Sequence, residues 1–221
     1  MPRSCRCALL TRADPLPHLK SRMLDPLLRR IVDPPLVQAG RWLAARGVRA
    51  NAATVTGLAV GLLAVPLLAH QHYFLALLAI LANRLFDGLD GAIARHQGAT
   101  AFGGYLDIVC DMLFYAAVPV GFALARPDNA VWAAVLLASF VATASSFLGR
   151  AVMAAQRGER DDGARGRKAF FYAAGIVEGS ETIIAFILFC LFPPAFPWLA
   201  GLFAALCLWT VLARLLEAAR A

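Results

Sequence analysis

Asp87, Asp90, Asp107 and Asp111 stand close together in a stretch that is otherwise almost wholly apolar. A carboxylate at membrane depth is costly, and a like-charged group of them is costlier, so the set implies a site that holds a cation. Asp87, Asp90, Gly91 and Ala94 recur at i, i+3, i+4 and i+7, one face of a helix, and Asp107 and Asp111 stack at i, i+4 on the next. With a connecting turn at about 96–102, antiparallel helices would place Asp90 and Asp107 roughly 5 to 8 Å from that turn, and Asp87 and Asp111 roughly 12 Å from it. The carboxylates would then meet in pairs. Oxygen ligands on two rigid helices suit Mg²⁺ or Mn²⁺ and suit thiophilic or imidazole-seeking metals poorly. Such ions complete their shells with substrate phosphates, and two can bracket an in-line displacement, so the chemistry expected is phosphoryl transfer. Gly91 and Gly103 leave no Cβ on the site face, where a bulky ligand can lie against the backbone. Arg95, at the water boundary, is placed to meet a phosphate with its fork of donors.

The elements that must carry these residues are membrane helices. The chain is 60% hydrophobic and 16% charged, with mean hydropathy +0.66, whereas about a quarter of the residues of a soluble domain are charged. Apolar stretches long enough to cross a bilayer fall at 52–69, 73–95, 102–124, 130–156, 170–192 and 198–216. The expected fold is therefore an all-α integral membrane bundle of six spans. Ten Lys and Arg precede the first span, five lie in 157–168, and Arg214 and Arg220 are at the end, against Arg126 alone on the other side. This bias puts both termini and the mouth of the aspartate site in the cytoplasm. The net charge of +7 then reflects that bias and attraction to anionic head groups, and no nucleic-acid partner is expected.

Ahead of the spans, 23–50 reads as an amphipathic juxtamembrane segment, broken at Pro34-Pro35, with a second short helix through Trp42 and Leu43. Residues 1–22 are polar and basic without the apolar core of a secretory signal, and are read as an extension or as an upstream start with Met23 the true beginning.

The string Asp87-x-x-Asp90-Gly91-x-x-Ala94-Arg95, seven residues, Gly103-x-x-x-Asp107-x-x-x-Asp111 resembles the motif of the CDP-alcohol phosphotransferase family, with all eight residues present. Seven is the shorter of the family's spacings between the arginine and the second glycine. The resemblance covers 51–221 as a six-helix domain. It implies transfer of a phosphatidyl group from CDP-diacylglycerol to an alcohol, with release of CMP, in the bacterial inner membrane. By the same resemblance Asp87, Asp90, Asp107 and Asp111 hold two Mg²⁺ or Mn²⁺ ions, and Asp111 also serves as general base. Asp90, Gly91, Ala94, Arg95 and Gly103 shape the CDP pocket, and the protein is a homodimer. Asn51-x-x-Thr54 resembles an element at the same point of the family, with helix N-capping by Asn51 the competing reading.

The acceptor is not specified by this motif. Arg150, Arg165, Arg167 and Lys168 are the candidate acceptor-binding residues; they favour an anionic alcohol such as glycerol 3-phosphate, though positive-inside bias also accounts for the loop. Arg84, three residues before Asp87, is expected to pair with Glu178 or Glu181 of the fifth span, as structural neutralisation or as a substrate contact. Gly57-x-x-x-Gly61 is read as internal helix packing more readily than as a dimer contact. The five cysteines are given no role, and His70 and His72 are read as interfacial residues of an outer turn. Two alternatives stay open: an intramembrane Mg²⁺-dependent prenyltransferase, and a catalytically silent membrane scaffold of the same fold.

Overall fold

The computed structural model describes residues 25–156 and 179–220. It comprises α1 (Asp25–Ala45), α2 (Ala50–Leu62), α3 (Ala64–Ala69), α4 (Tyr73–Gln97), α5 (Ala101–Ala125), α6 (Ala130–Gln156), α7 (Gly179–Leu191) and α8 (Phe196–Arg220). No strand occurs among the described residues. Among the described residues, four segments are long and apolar enough to cross a membrane: Ala50–Ala69, Ala101–Ala125, Pro127–Met153 and Pro193–Ala219. At 25 residues α4 is as long, but it carries Arg84, Asp87 and Asp90, so hydropathy alone does not mark it. Of the span expected at 170–192, the part before Gly179 lies outside the described residues, as do the expected extension at 1–22 and the loop arginines. The fold is an all-α integral membrane bundle.

Two prolines and their surroundings explain where the helices bend and where they do not. Pro66 has no N–H for the carbonyl of Leu62, and its ring crowds that carbonyl, so the first span divides at Leu63 into α2 and α3. The break expected at Pro34-Pro35 is not found, and α1 continues through both. Both prolines are exposed, so water or head groups can take up the carbonyls they leave unbonded. Beyond them α1 is seated on α4: a Cβ at Gly88 would stand 2.7 Å from Leu36 Cδ1, and one at Gly40 would stand 2.6 Å from Ala92 Cβ.

Along α4, Phe74, Leu78, Leu81 and Leu85 are exposed at helical spacing, while Ala76, Ile80, Asn83 and Asp90 are buried on the other side. The apolar face meets lipid and the polar face turns inward. α2 packs against both α4 and α5, which scarcely approach each other directly, and α6 pairs with α8. The end of the bundle remote from the aspartates is closed by aromatic rings. Phe122 stacks on Phe196 with centroids 4.5 Å apart and on Tyr73 at 6.0 Å, and Phe189 meets Phe122 and Phe196 edge-on. In a bilayer such van der Waals packing, rather than water exclusion, holds helices together.

Candidate metal centre and donor site

The turn that delivers the motif is tight. α4 ends at Gly98, whose φ of +96° is open to glycine and strained for other residues. Gln97 Nε2 donates to Val48 O at 2.7 Å, tying this end of α4 to the chain before α2. Thr100 then caps α5 by accepting from the Gly103 N–H at 3.0 Å. Only 98–100 lie outside the two helices, a shorter turn than the 96–102 expected.

Asp87, Asp90 and Asp107 bring one carboxylate oxygen each to within 4.8 Å of one another. Asp90 is 6% exposed, and its Oδ2 has no hydrogen-bond partner among the described residues. A buried carboxylate beside two further carboxylates is costly unless a cation satisfies all three. An all-oxygen donor set of this kind fits a hard divalent ion. The cleft around it is closed on one side by Thr54, Gly57 and Leu58 of α2 and reaches Arg84, Cys110 and Asp111. Cys110, given no role in the sequence, thus borders the cleft.

The aspartates do not meet in two pairs as expected. Three converge, and the fourth, Asp111, accepts a hydrogen bond from Arg84 Nη2 at 2.8 Å. The cause is tertiary: α2 holds α4 and α5 apart, and the space at the level of Asp111 is taken by a guanidinium. Among the described residues Arg84 pairs with Asp111 and Asp87 and not with Glu181, and its expected pairing with Glu178 lies outside them. The Arg84 side chain reaches Asp111, Asn83 and Tyr115 and stands 3.7 Å from Asp87, while Glu181 accepts from Ser180 Oγ at 3.0 Å.

The expected donor residues continue the aspartate faces toward the turn. Gly91 and Ala94 lie one turn beyond Asp87 and Asp90, and Gly103 one turn before Asp107. A Cβ on Gly91 would meet nothing nearer than Arg95 Nη1 at 3.4 Å, so this face is open. A Cβ on Gly103 would stand 3.0 Å from Thr100 Oγ1 and 3.2 Å from Asn51 Oδ1. Asn51 therefore stands against the motif's second glycine. It is not the N-cap of α2, because that position falls on Arg49. Thr54, one turn on, donates to Ala50 O at 3.1 Å and lines the cleft. Arg95 is exposed at the end of α4.

Of the acceptor candidates, Arg165, Arg167 and Lys168 lie outside the described residues. Arg150 is half-buried on α6, and its Nη1 is buried without a hydrogen-bond partner among the described residues. It does not line the cleft itself. Arg214, counted in the sequence as a terminal surface cation, is instead 6% exposed. Its Nη1 donates to Thr143 O and Ser146 Oγ of α6, both at 3.3 Å. Nothing in the local sequence distinguishes it from a positive-inside residue, since its burial depends on how α8 lies on α6. Gly57 and Gly61 make helix contacts within the chain, as read: an added Cβ at Gly57 would come to 2.7 Å from Phe86 Cβ of α4, and one at Gly61 to 2.7 Å from Phe114 Cδ2 of α5 and 2.8 Å from Asn83 Nδ2 of α4.

The sequence profile of the CDP-alcohol phosphatidyltransferases matches residues 48–216. An inner membrane protein of Escherichia coli, YnjF, is 47% identical over 87% of this chain and 93% of its own length. An archaetidylinositol phosphate synthase of Pyrococcus horikoshii is 37% identical over 44% of this chain and 52% of its own. Among solved structures, Mycobacterium tuberculosis phosphatidylinositol phosphate synthase with CDP-DAG bound superposes with a TM-score of 0.65 at 24% identity, covering 81% of this chain and 91% of that one. The same synthase has been solved in complex with manganese and citrate, and superposes with a TM-score of 0.64.

Proposed function

The chain belongs to the CDP-alcohol phosphatidyltransferase family, and from that premise we propose that it transfers the phosphatidyl group of CDP-diacylglycerol to a phosphorylated polyol, releasing CMP. The observation that carries the reading is the convergence of Asp87, Asp90 and Asp107, of which Asp90 is buried with one oxygen unpartnered among the described residues. Family membership leaves prenyl transfer with no residue that calls for it.

Asp87, Asp90 and Asp107 would hold a divalent ion, which when bound supplies Lewis-acid neutralisation of the diphosphate charge. Asp111 borders the same cleft and takes the proton of the acceptor hydroxyl as its oxygen attacks the phosphorus that bears the diacylglycerol. The new O–P bond forms as the bond to the CMP oxygen breaks, and CMP leaves with that electron pair. Gly91 and Gly103 keep the backbone open to the nucleotide, Ala94 adds only a methyl group, and Arg95 meets a phosphate from the exposed end of α4. Asn51, beside Gly103, joins this group.

Arg150, with its buried unpartnered nitrogen, supports an anionic acceptor, together with Arg165, Arg167 and Lys168 of the loop. Glycerol 3-phosphate is the simplest such alcohol, and the names of the relatives bring inositol phosphate beside it. Similarity to an Escherichia coli inner membrane protein and the cation bias support placement in a bacterial inner membrane with termini and cleft facing the cytoplasm; a homodimeric state rests on the family resemblance alone. Purified protein with Mn²⁺ should release CMP from CDP-diacylglycerol only when one member of a panel of glycerol 3-phosphate, inositol phosphate, serine and phosphatidylglycerol is present. Absence of CMP release with every one of them, from folded protein that binds the donor, would overturn this reading in favour of the silent scaffold; release with serine alone would overturn the anionic acceptor.

A further inference from the structure

We propose that Arg84 is a positioning residue that reserves Asp111 and makes binding of a second divalent ion depend on the nucleotide's diphosphate. The inference rests on the metal-centre reading above and concerns how that centre fills.

Arg84 is anchored on every side. Its Nε and Nη2 donate to Asn83 Oδ1 at 2.9 and 2.6 Å. Asn83 is itself buried and fixed, since its Nδ2 donates to Gly57 O at 2.8 Å. Arg84 Nη1 donates to Tyr115 Oη at 3.2 Å, and the guanidinium lies 4.6 Å from the centre of the Phe114 ring and 5.3 Å from that of Tyr115. A planar fork with this many bonds, lying beside two adjoining aromatic rings, is held in one orientation. It is a built-in cation, not a surface arginine free to swing away.

That fixed cation divides the four aspartates unequally. Asp111 is engaged at 2.8 Å and Asp87 stands at 3.7 Å, whereas Asp90 lies among the converging three with an unpartnered oxygen. A first divalent ion finds three carboxylates with little opposition. A second, drawing on Asp111, must approach a guanidinium that cannot retreat, inside a cleft where water screens the repulsion poorly. A diphosphate adds negative charge and oxygen ligands at that point, which offsets the repulsion and completes the shell. The free protein therefore holds one ion and takes the second together with the nucleotide.

The test is a Mn²⁺ titration of the full chain in lipid nanodiscs, reading free Mn²⁺ by electron paramagnetic resonance, with and without CDP. Wild-type protein should bind one ion alone and two with CDP. Arg84→Gln should bind two without CDP, its second-site affinity raised tenfold or more, and Arg84→Lys, which restores the charge, should return the second ion to CDP dependence. Two ions on the wild-type protein without CDP, no second ion with it, or an Arg84→Gln protein that still requires CDP would each overturn the proposal. Two ions on the wild-type protein without CDP would overturn it even if Arg84→Gln does not fold. Failure of the underlying reading looks different: a wild-type protein that binds no Mn²⁺ at all removes the metal centre itself.

Discussion

Asp111 and Asp90 differ in what surrounds them, and their substitutions should separate accordingly. Asp111 is positioned by the Arg84 guanidinium, and an amide of the same shape can still accept that hydrogen bond through its carbonyl. Asp111→Asn should still bind CDP, more weakly because the second ion draws on the same carboxylate, while losing roughly 10² to 10⁴ in turnover at saturating donor, the contribution of a positioned general base. Isothermal titration with CDP beside a CMP-release assay measures both, and unchanged turnover would remove Asp111 as the base. Asp90 is buried, brings an oxygen to within 4.8 Å of those of Asp87 and Asp107, and has its Oδ2 without a hydrogen-bond partner among the described residues. EDTA should accordingly abolish activity and Mn²⁺ or Mg²⁺ restore it, and activity that persists in chelator would sink the metal-dependent mechanism. At this scale the types and spacing of the motif residues were legible, because a helix fixes which side chains share a face. The partner of Arg84 was not: its i, i+3 relation to Asp87 is local, but Asp111 is 27 residues away.

The helices are set by what their glycines admit. At Gly61 an added Cβ would stand 2.7 Å from Phe114 Cδ2 and 2.8 Å from Asn83 Nδ2, so α2 can nest between α4 and α5 only where no side chain intervenes. Gly61→Ala should cost about 1–3 kcal/mol by overpacking and lower Tm in detergent, as read by tryptophan fluorescence. Gly104→Ala is the matched control, since nothing lies within 4 Å of its added Cβ and alanine favours a helix over glycine. Equal Tm shifts for the two would refute this account of the packing. The break of the first span at Pro66 and the unbroken course of α1 through Pro34-Pro35 teach a related point. A proline's lost hydrogen bond is written in the sequence, but whether the helix continues depends on what the freed carbonyls and the next turn can contact.

Across the whole molecule, polar and apolar ends are segregated: a cleft of carboxylates at one end and a plug of phenylalanine rings at the other. The cation bias predicts that the carboxylate end faces the cytoplasm. With Cys5 and Cys7 replaced by serine, Asp128→Cys in the exposed turn before α6 should react with a membrane-impermeant maleimide on intact spheroplasts. His96→Cys, exposed at the end of α4, should react only after permeabilisation, and the reverse pattern would invert the topology. Composition and helical periodicity determined by themselves that this chain is an all-α membrane protein with an acidic, phosphate-directed site, because hydropathy and side-chain facing are properties of single helices. Only the tertiary structure decided that Asp87, Asp90 and Asp107 converge while Asp111 goes to Arg84, that Asn51 stands at Gly103, and that Arg214 is buried against α6. Those choices depend on the separation and rotation of helices distant in sequence, which are fixed by close contacts such as Gly61 with Phe114 and Gly40 with Ala92 and leave no periodic signal along the chain.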